Sequence, residues 1–205
     1  MGRKAIVALP FCEYRQTSVG AYNEVGLAVA VVPEGVNLAV GGWLDLYRTI
    51  AKQRLGFRII GLPVTAPLAD AAGREIWGYP KFVTDIGFRL AVGKFVGDVQ
   101  APGGGEPILT LGGDLGFGMP ATPLGLVRYS QLGDKDLRTV VNVRGRASLR
   151  RGSGLHLDVG DVDHPMAKNL SEMALSGRKP IFVMDTHRFQ SRLNIGEQLL
   201  RRQGA

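Results

Sequence analysis

The sequence predicts a mainly β protein of the α+β class with few helices. Short apolar runs recur along the chain, separated by many of its 29 glycines and 11 prolines, a pattern typical of a chain that turns often between strands. The length of 205 residues suits a single domain over residues 1–205 with one buried core. A hydrophobic share of 45% and a charged share of 21% are ordinary for a globular protein.

The predicted strands are apolar or alternating runs bounded by turn residues. The segment 141–150 alternates apolar and polar residues, so Arg144, Arg146 and Arg150 should share one outward face. That face would serve a subunit contact, an acidic ligand or solubility. The predicted strands cover residues 4–14, 22–32, 58–63, 82–91, 94–100, 108–115, 126–129, 137–149 and 155–159.

Four segments are predicted to be helical. Residues 44–55 carry apolar side chains at helical spacing. Residues 66–75 form a short helix with Pro67 in its first turn, where proline is tolerated. Residues 166–175 end near Gly177, a helix stop signal, and the tail 191–202 is the fourth candidate.

The charge pattern favours a solvated surface over a nucleic-acid interface. The net charge is +7, but most arginines are scattered singly, with groups only at 144–151 and at Arg201 and Arg202. No apolar run approaches the roughly 20 residues that span a bilayer, and Pro10 interrupts the apolar N-terminal segment. We therefore expect no nucleic-acid partner, no membrane partner and a cytoplasmic location.

Neither a disulfide nor a metal site is expected. Cys12 is the single cysteine, so it cannot form an internal disulfide, and no histidine lies next to it in sequence to generate a thiolate. We expect it to be buried and inert. The three histidines, His156, His164 and His187, and the acid Asp163 lack the spacing of metal ligands.

The most informative segment is residues 73–82, GREIWGYPKF, in which Lys81 has aromatic and apolar neighbours. Burial disfavours the charged form of an amine, and a neutral amine can attack a ketone to form a Schiff base. Pro80 blocks helix continuation and holds Tyr79 extended, so Lys81 should begin a strand directly after a helix. Functional residues often occupy such junctions because a rigid scaffold holds them beside an open side.

Two ordered motifs resemble the acetoacetate decarboxylase superfamily. Gly73-Arg74-Glu75 followed by Gly78-Tyr79-Pro80-Lys81 resembles the family signature, and Tyr22-Asn23-Glu24 resembles its upstream Tyr-x-Glu element. The likeness continues through residues 163–167 and the C-terminal strands. It implies a β-rich, cone-shaped barrel with a few outer helices, a homo-oligomer, and chemistry that needs no metal or organic cofactor.

By this resemblance Lys81 is the Schiff-base lysine and Glu24 the pocket carboxylate. Candidate substrate-binding residues are Arg74, Tyr79, Trp77 and Phe82. The family pattern places a second lysine where this chain has Phe82, so the walls of the pocket would have to activate Lys81.

The resemblance also raises the question of how a substrate carboxylate is bound. The family takes an active-site arginine from an N-terminal segment that this sequence lacks, and Arg74 or Arg15 is a candidate replacement. Arg74 has the better claim, although a structural ion pair with Glu75 or Glu24 is an equal alternative. Glu13 is a candidate for a further pocket acid whose family position falls near Leu9.

The sequence is compatible with three functions. The first is a Schiff-base-forming lyase that decarboxylates a small or medium β-keto acid. The second uses the same lysine for aldol or dehydration chemistry on a keto acid; Trp77, four positions before Lys81, stands where such relatives tend to have a polar residue. The third is a noncatalytic member that binds a small ligand.

Overall fold

Strands dominate the computed structural model, which describes residues 5–38, 42–151 and 154–199. Within these residues, eleven strands form a curled sheet shaped like half a barrel, and four more form a second sheet. The strands are β1 (Val7–Ala8), β2 (Phe11–Tyr14), β3 (Tyr22–Val25), β4 (Leu27–Val31), β5 (Gly56–Val64), β6 (Lys81–Val83), β7 (Ile86–Ala91), β8 (Lys94–Gln100), β9 (Pro107–Asp114), β10 (Gly118–Ala121), β11 (Leu126–Leu132), β12 (Lys135–Arg151), β13 (Gly154–Val159), β14 (Phe182–Leu193) and β15 (Glu197–Gln198).

Strand β5 is the hub of the large sheet. It pairs antiparallel with β3 and β4 and parallel with β6 and β11. The main path of the sheet is β1-β4-β5-β11-β12-β10, and β14 and β15 pair with the long strand β12. The small sheet has the order β13-β9-β8-β7. Residues that pair with β5 are therefore brought together from distant parts of the chain.

A bulge interrupts β5 at its centre. Leu27 of β4 lies opposite Gly61, whereas the next residue, Ala28, lies opposite Ile59, so Ile60 is the extra residue. An extra residue reverses the alternation of side chains beyond it. Accordingly Ile59 and Leu62 pack in one core cluster, whereas Ile60 packs in another.

The two core clusters lie on opposite faces of β5. The larger contains Val25 of β3, Ile108 and Leu109 of β9, and the helical residues Met166 and Leu170. The smaller contains Ala28, Ile59, Leu62 and Tyr79, with Phe57, Trp77 and Leu193 packed against it. The small cluster lies on the face toward which Lys81 points, because Lys81 and Leu62 are paired residues on adjacent strands.

The described residues form two α-helices, both near predicted positions. Helix α1 (Pro67–Trp77) begins with a proline and ends at Gly78, whose φ of 64° is left-handed. The amides of Gly78 and Tyr79 donate to the carbonyls of Arg74 and Gly73, which closes the helix C-terminus. Helix α2 (Pro165–Glu172) begins after His164, whose Nδ1 accepts a hydrogen bond from the Met166 amide at 3.1 Å.

The predicted helix over residues 44–55 is wrong. Only a 3₁₀ helix, Gly42–Tyr47, forms there. The carboxylate of Asp45 accepts hydrogen bonds from the amides of Arg54 and Leu55 at 2.6 and 2.7 Å, whereas an α-helix would separate these residues by about 13 Å. A side chain that bonds to backbone amides this far along the chain holds it in a compact loop instead.

The predicted helix over residues 191–202 is also wrong across the part of it that is described. Strand β14 continues through Leu193 because it pairs with β12 from Val141 to Arg151, and β15 follows. Residues 200–202, with Arg201 and Arg202, lie outside the described residues. Strands β10, β14 and β15 were not predicted, and Pro10 and Gly26 divide the first two predicted strands into four.

The arginines of β12 share an outward face only in part. Arg144 and Arg146 are exposed, whereas Arg150 is partly buried and its guanidinium bonds to Asp185. The register with β14 shifts between Arg146 and Ser148, which accounts for the different surroundings of the later arginine.

The junction between α1 and β6 should be intolerant of a side chain at Gly78. A Cβ there would collide with the backbone carbonyl of Gln131, so we expect Gly78→Ala to lower the free energy of unfolding by about 3 kcal/mol in urea titrations. Gly93→Ala is the matched control, because φ is 71° but nothing lies within 4 Å of its Cβ; its loss should be about 1 kcal/mol. Equal losses in the two variants would contradict the role of the contact.

Candidate active site

A buried ion pair lies at the start of β6. The Nζ atom of Lys81 is 2.7 Å from Oε2 of Glu24, and each side chain is only 6% exposed. Desolvating two charges is costly, so a buried pair of this kind persists where the surrounding structure holds both groups in place. It is the pair that the sequence singled out, and 57 residues separate its members.

Three strands position this pair. Lys81 lies opposite Leu62 of β5, and Glu24 lies opposite Val64 of the same strand. Leu62 and Val64 are two residues apart on one strand, so they and their partners face the same side of the sheet. The prediction that Lys81 begins a strand after a helix is confirmed.

Helix α1 packs directly on the aliphatic stem of Lys81. A Cβ atom at Gly73 would collide with Cδ and Cε of the lysine, so glycine at this position leaves the space for its side chain. On another side, Nζ lies 5.5 Å from the centre of the Tyr22 ring. Burial, then the charge of Glu24, raises the pKa of Tyr22 above its ordinary value, so this phenol stays neutral.

Phe82 does not share the lysine pocket, which corrects its assignment as a substrate-binding residue. Its ring packs in the larger core cluster, with its centre 4.5 Å from that of the His164 ring. Consecutive strand residues point to opposite faces, so Phe82 points away from Lys81. A lysine at this position would also leave the pocket face.

The structure places Arg74 on the outside of α1. Its side chain is 62% exposed and forms an ion pair with Asp70 at 3.4 Å, rather than with Glu75 or Glu24. Glu13 and Arg15 form another exposed pair at 2.7 Å. These positions remove the reason for assigning Arg74, or Arg15, to a substrate carboxylate and Glu13 to the pocket.

Trp77 and Tyr79 are brought together beside the pocket. Their rings stack at 6.3 Å with an angle of 11° between them. The indole Nε1 of Trp77 donates to the carbonyl of Asn194 at 2.9 Å, which fixes the ring against the segment after β14. Tyr79 is 2% exposed, and its ring belongs to the smaller core cluster.

Arg128 lies near Tyr79 and interacts with Glu24, and sequence reasoning missed it. It lies on β11, partly buried, with Cζ 5.7 Å from the centre of the Tyr79 ring. Burial disfavours its charge, but the neighbouring Tyr79 and Glu24 outweigh this and raise the pKa of Arg128. No local motif marks this arginine, because only the pairing of β11 with β5 brings it to the site.

Two surface depressions lie near these elements. One of about 270 Å³ is lined in part by Tyr14, Tyr22 and Asn23, and it adjoins the pair because the ring of Tyr22 faces Lys81. The other, of about 530 Å³, is lined by residues of β5 and β11 and by Gly78 and Pro80, and contains neither Lys81 nor Glu24. Neither Lys81 nor Glu24 lines the first depression either, so Tyr22 is the residue that links this depression to the ion pair.

Within the described residues, no three His, Cys, Asp or Glu side chains are grouped closely enough to hold a metal ion. In the same part of the chain, no helix has both the length and the apolar character needed to cross a bilayer.

Comparison with protein families gives a match over most of the chain. The model of the family "Acetoacetate decarboxylase (ADC)" matches residues 1–149. The chain belongs to the acetoacetate decarboxylase family. The family supports an enzymatic role at the level of the family as a whole. A search of curated proteins found no match.

Solved structures show the same fold as this acetoacetate decarboxylase family member. An acetoacetate decarboxylase from Legionella pneumophila is 16% identical, with a TM-score of 0.62 over 97% of this chain and 75% of that one. The enduracididine biosynthesis enzyme MppR, in complex with the condensation product of pyruvate and imidazole 4-carboxaldehyde, is 13% identical. Its TM-score is 0.58, and the match covers 87% of this chain and 66% of MppR. An acetoacetate decarboxylase-like enzyme from Sphingomonas wittichii RW1 is 13% identical. Its TM-score is 0.58, and the match covers 88% of this chain and 69% of that enzyme.

Breaking the buried pair should cost far more stability than breaking an exposed one. We expect Glu24→Gln to lower the free energy of unfolding by about 3 kcal/mol, because it leaves the amine of Lys81 buried without its carboxylate. Adding Lys81→Met should recover part of that loss. Glu13→Gln is the matched control, since its pair with Arg15 has the same 2.7 Å separation but is exposed. Equal losses of unfolding free energy in Glu24→Gln and Glu13→Gln would contradict the expectation that the buried pair is the more costly one to break.

Cys12 should be unreactive in the folded protein. Burial, then the charge of Glu24, raises its pKa to about 11, so about one thiol in a thousand is ionised at pH 8. We expect iodoacetamide to modify Cys12 roughly 100-fold more slowly in the folded protein than in urea, measured by mass spectrometry at pH 8. Comparable rates in the two states would mean that the thiol is activated.

Proposed function

We propose that the protein is a Schiff-base-forming carbon–carbon lyase that decarboxylates a β-keto acid, either acetoacetate or a larger analogue. Lys81 is the nucleophile, and Glu24 moves protons. The observation that carries this proposal is the 2.7 Å contact between the Lys81 amine and the Glu24 carboxylate, both buried, with the ring of Tyr22 5.5 Å from the amine. Membership of the acetoacetate decarboxylase family supports the same chemistry.

The first step of the reaction follows from this contact. Glu24 is close enough to accept a proton from the Lys81 ammonium, and the neutral amine then attacks the keto carbon. The former keto oxygen takes one proton from the attacking nitrogen and the other from Glu24, the C–O bond breaks, water departs, and an iminium remains on Lys81. The buried site favours this exchange, because separated charges are poorly solvated there.

The iminium then accepts the electrons released with CO2. The bond between the carboxylate carbon and its neighbour breaks, its electron pair moves into the iminium, and a neutral enamine forms. A proton from solvent, relayed by Glu24, adds to the enamine carbon and restores the iminium. Water hydrolyses this iminium to release the ketone and regenerate the Lys81 ammonium, so each turnover consumes one proton.

Aldol or dehydration chemistry is the second candidate. The relative MppR, whose complex contains a condensation product of pyruvate and an aldehyde, favours it. Here the iminium of a keto acid would lose an α proton to Glu24, and the resulting enamine would attack an aldehyde and retain the carboxylate. The nucleophile is the same in both cases, so only the products differ.

The remaining expectations accompany this proposal. The partner is a small keto acid, no metal or organic cofactor takes part, and the active form is a homo-oligomer in the cytoplasm. The exposed arginines Arg144 and Arg146 are assigned to solvated surface rather than to a nucleic-acid partner.

Borohydride trapping tests the proposed nucleophile. We expect incubation with acetoacetate or pyruvate, followed by reduction, to add the mass of the reduced adduct to the peptide that contains Lys81. Lys81→Met should abolish the adduct. Lys168→Met is the matched control, because Lys168 is also ion-paired, to Asp163 at 2.6 Å, but is 64% exposed; it should leave the labelling unchanged.

The products then separate the three candidate functions. Release of CO2 from acetoacetate identifies a decarboxylase, and incorporation of an added aldehyde after pyruvate identifies an aldolase. Labelling with neither product identifies a ligand-binding protein. Absence of an adduct on Lys81, or equal labelling of exposed lysines, would refute both enzymatic proposals.

A further inference from the structure

We infer that Arg128, with the hydroxyl groups of Tyr79 and Thr139, forms the subsite that binds the substrate carboxylate, so that the substrates are keto acids with a single carboxylate. This inference rests on the proposed function, since it concerns the same pocket. It assigns carboxylate binding to a residue on β11 and not to Arg74, which lies outside on α1.

Arg128 forms no direct ion pair with an acid in the described part of the chain, although the charge of Glu24 acts on it. Its Cζ atom lies over the Tyr79 ring, 5.7 Å from the centre of the ring, and a guanidinium carries five N–H donors. Arginine binds carboxylates through two parallel N–H donors, so a partly buried arginine that forms no direct ion pair is suited to an anionic ligand.

Two buried hydroxyl groups lie beside Arg128, and the hydroxyl of Tyr79 interacts with both Thr139 and Arg128. Thr139 lies directly opposite Arg128 in the pairing of β11 with β12, so their side chains share a face. Thr139 is 0% exposed and Tyr79 is 2% exposed. Among the described residues, neither Oγ1 of Thr139 nor the hydroxyl of Tyr79 completes a hydrogen bond of normal geometry. Buried polar groups are normally satisfied, so this pair points to an oxygen-rich ligand.

The bulge in β5 directs Arg128 toward the lysine. Arg128 lies opposite Phe57, on one side of the bulge at Ile60, and Lys81 lies opposite Leu62, on the other side. Without the extra residue, Phe57 and Leu62 would point to opposite faces of the sheet. With it, Arg128 and Lys81 face the same interior, and Arg128 interacts electrostatically with Glu24.

The charge balance of the pocket favours one carboxylate. Lys81 and Arg128 are cationic and Glu24 is anionic, which leaves one positive charge before the substrate binds. A keto monocarboxylate neutralises that charge when its keto carbon is at Lys81 and its carboxylate at Arg128. A second carboxylate would add an anion beside Glu24 without a matching cation.

A matched acid and ester test this subsite. We expect Arg128→Gln to raise the acetoacetate concentration that gives half-maximal borohydride labelling of Lys81 by roughly 10- to 100-fold, the usual effect of losing a charge-assisted hydrogen bond. For methyl acetoacetate, which has the same skeleton without the charge, the shift should stay within about threefold. Arg128→Lys keeps the positive charge but loses the paired N–H donors of the guanidinium. Its shift in the acetoacetate concentration should therefore lie between that of Arg128→Gln and no shift.

Two further variants guard against a general loss of structure. Thr139→Val removes an unpaired hydroxyl without changing the shape of the side chain, so it should weaken labelling by acetoacetate while leaving thermal stability unchanged. Arg58→Gln removes an exposed arginine on the neighbouring strand β5 and should change neither reaction. Equal shifts for the acid and the ester in Arg128→Gln, or no shift for the acid, would overturn the inference.

A nonreactive acid separates this inference from the proposed function. The compound 3-hydroxybutyrate has the carboxylate but no ketone, so it cannot form an imine. We expect calorimetry to detect its binding to the wild-type protein and weaker binding to Arg128→Gln. If Lys81 is never labelled but this binding depends on Arg128, the proposed function fails and the carboxylate subsite stands. If 3-hydroxybutyrate binds both proteins equally, or neither, the subsite is refuted.

Discussion

The contact between Lys81 and Glu24 is the interaction around which the site is built. Both side chains are 6% exposed, so each charge depends on the other for the solvation that water would otherwise supply. Three features keep the pair in place: a glycine in α1 that leaves room for the lysine stem, the left-handed cap at Gly78, and the pairing of β3 and β6 with β5. The same separation from water makes transfer of a proton between the two groups chemically useful.

The second constraint is the bulge in β5. One extra residue, Ile60, places Arg128 and Lys81 on the same face even though their strands pair with different halves of β5. Bulges next to active sites commonly redirect side chains in this way. The family's second lysine position is occupied by Phe82, which points into the larger core. The cation that interacts with Glu24 besides Lys81 is Arg128, on β11.

The errors in the sequence-based predictions share a physical cause. Residues 44–55 have helical periodicity, but the carboxylate of Asp45 bonds to two amides about ten residues later and prevents the helix. Residues 191–193 continue β14 because β12 pairs with them. Arg74 lies in the family motif, yet it is on the exposed side of α1. In each case a contact between segments outweighs the local pattern.

The sequence by itself determined the strand-rich class, the helix before the lysine and the strand that Lys81 begins, and it singled out Lys81 and Glu24, which the structure brings together. These follow from local signals: glycine and proline punctuation, apolar periodicity and two short motifs. Only the tertiary structure decided that Phe82 packs in the larger core, away from Lys81, and that Arg128 lies near Tyr79 and Glu24. Strand register sets which residues share a face, and a single bulge reverses that assignment. Register and bulges arise from pairing between distant segments, so no local pattern reveals them.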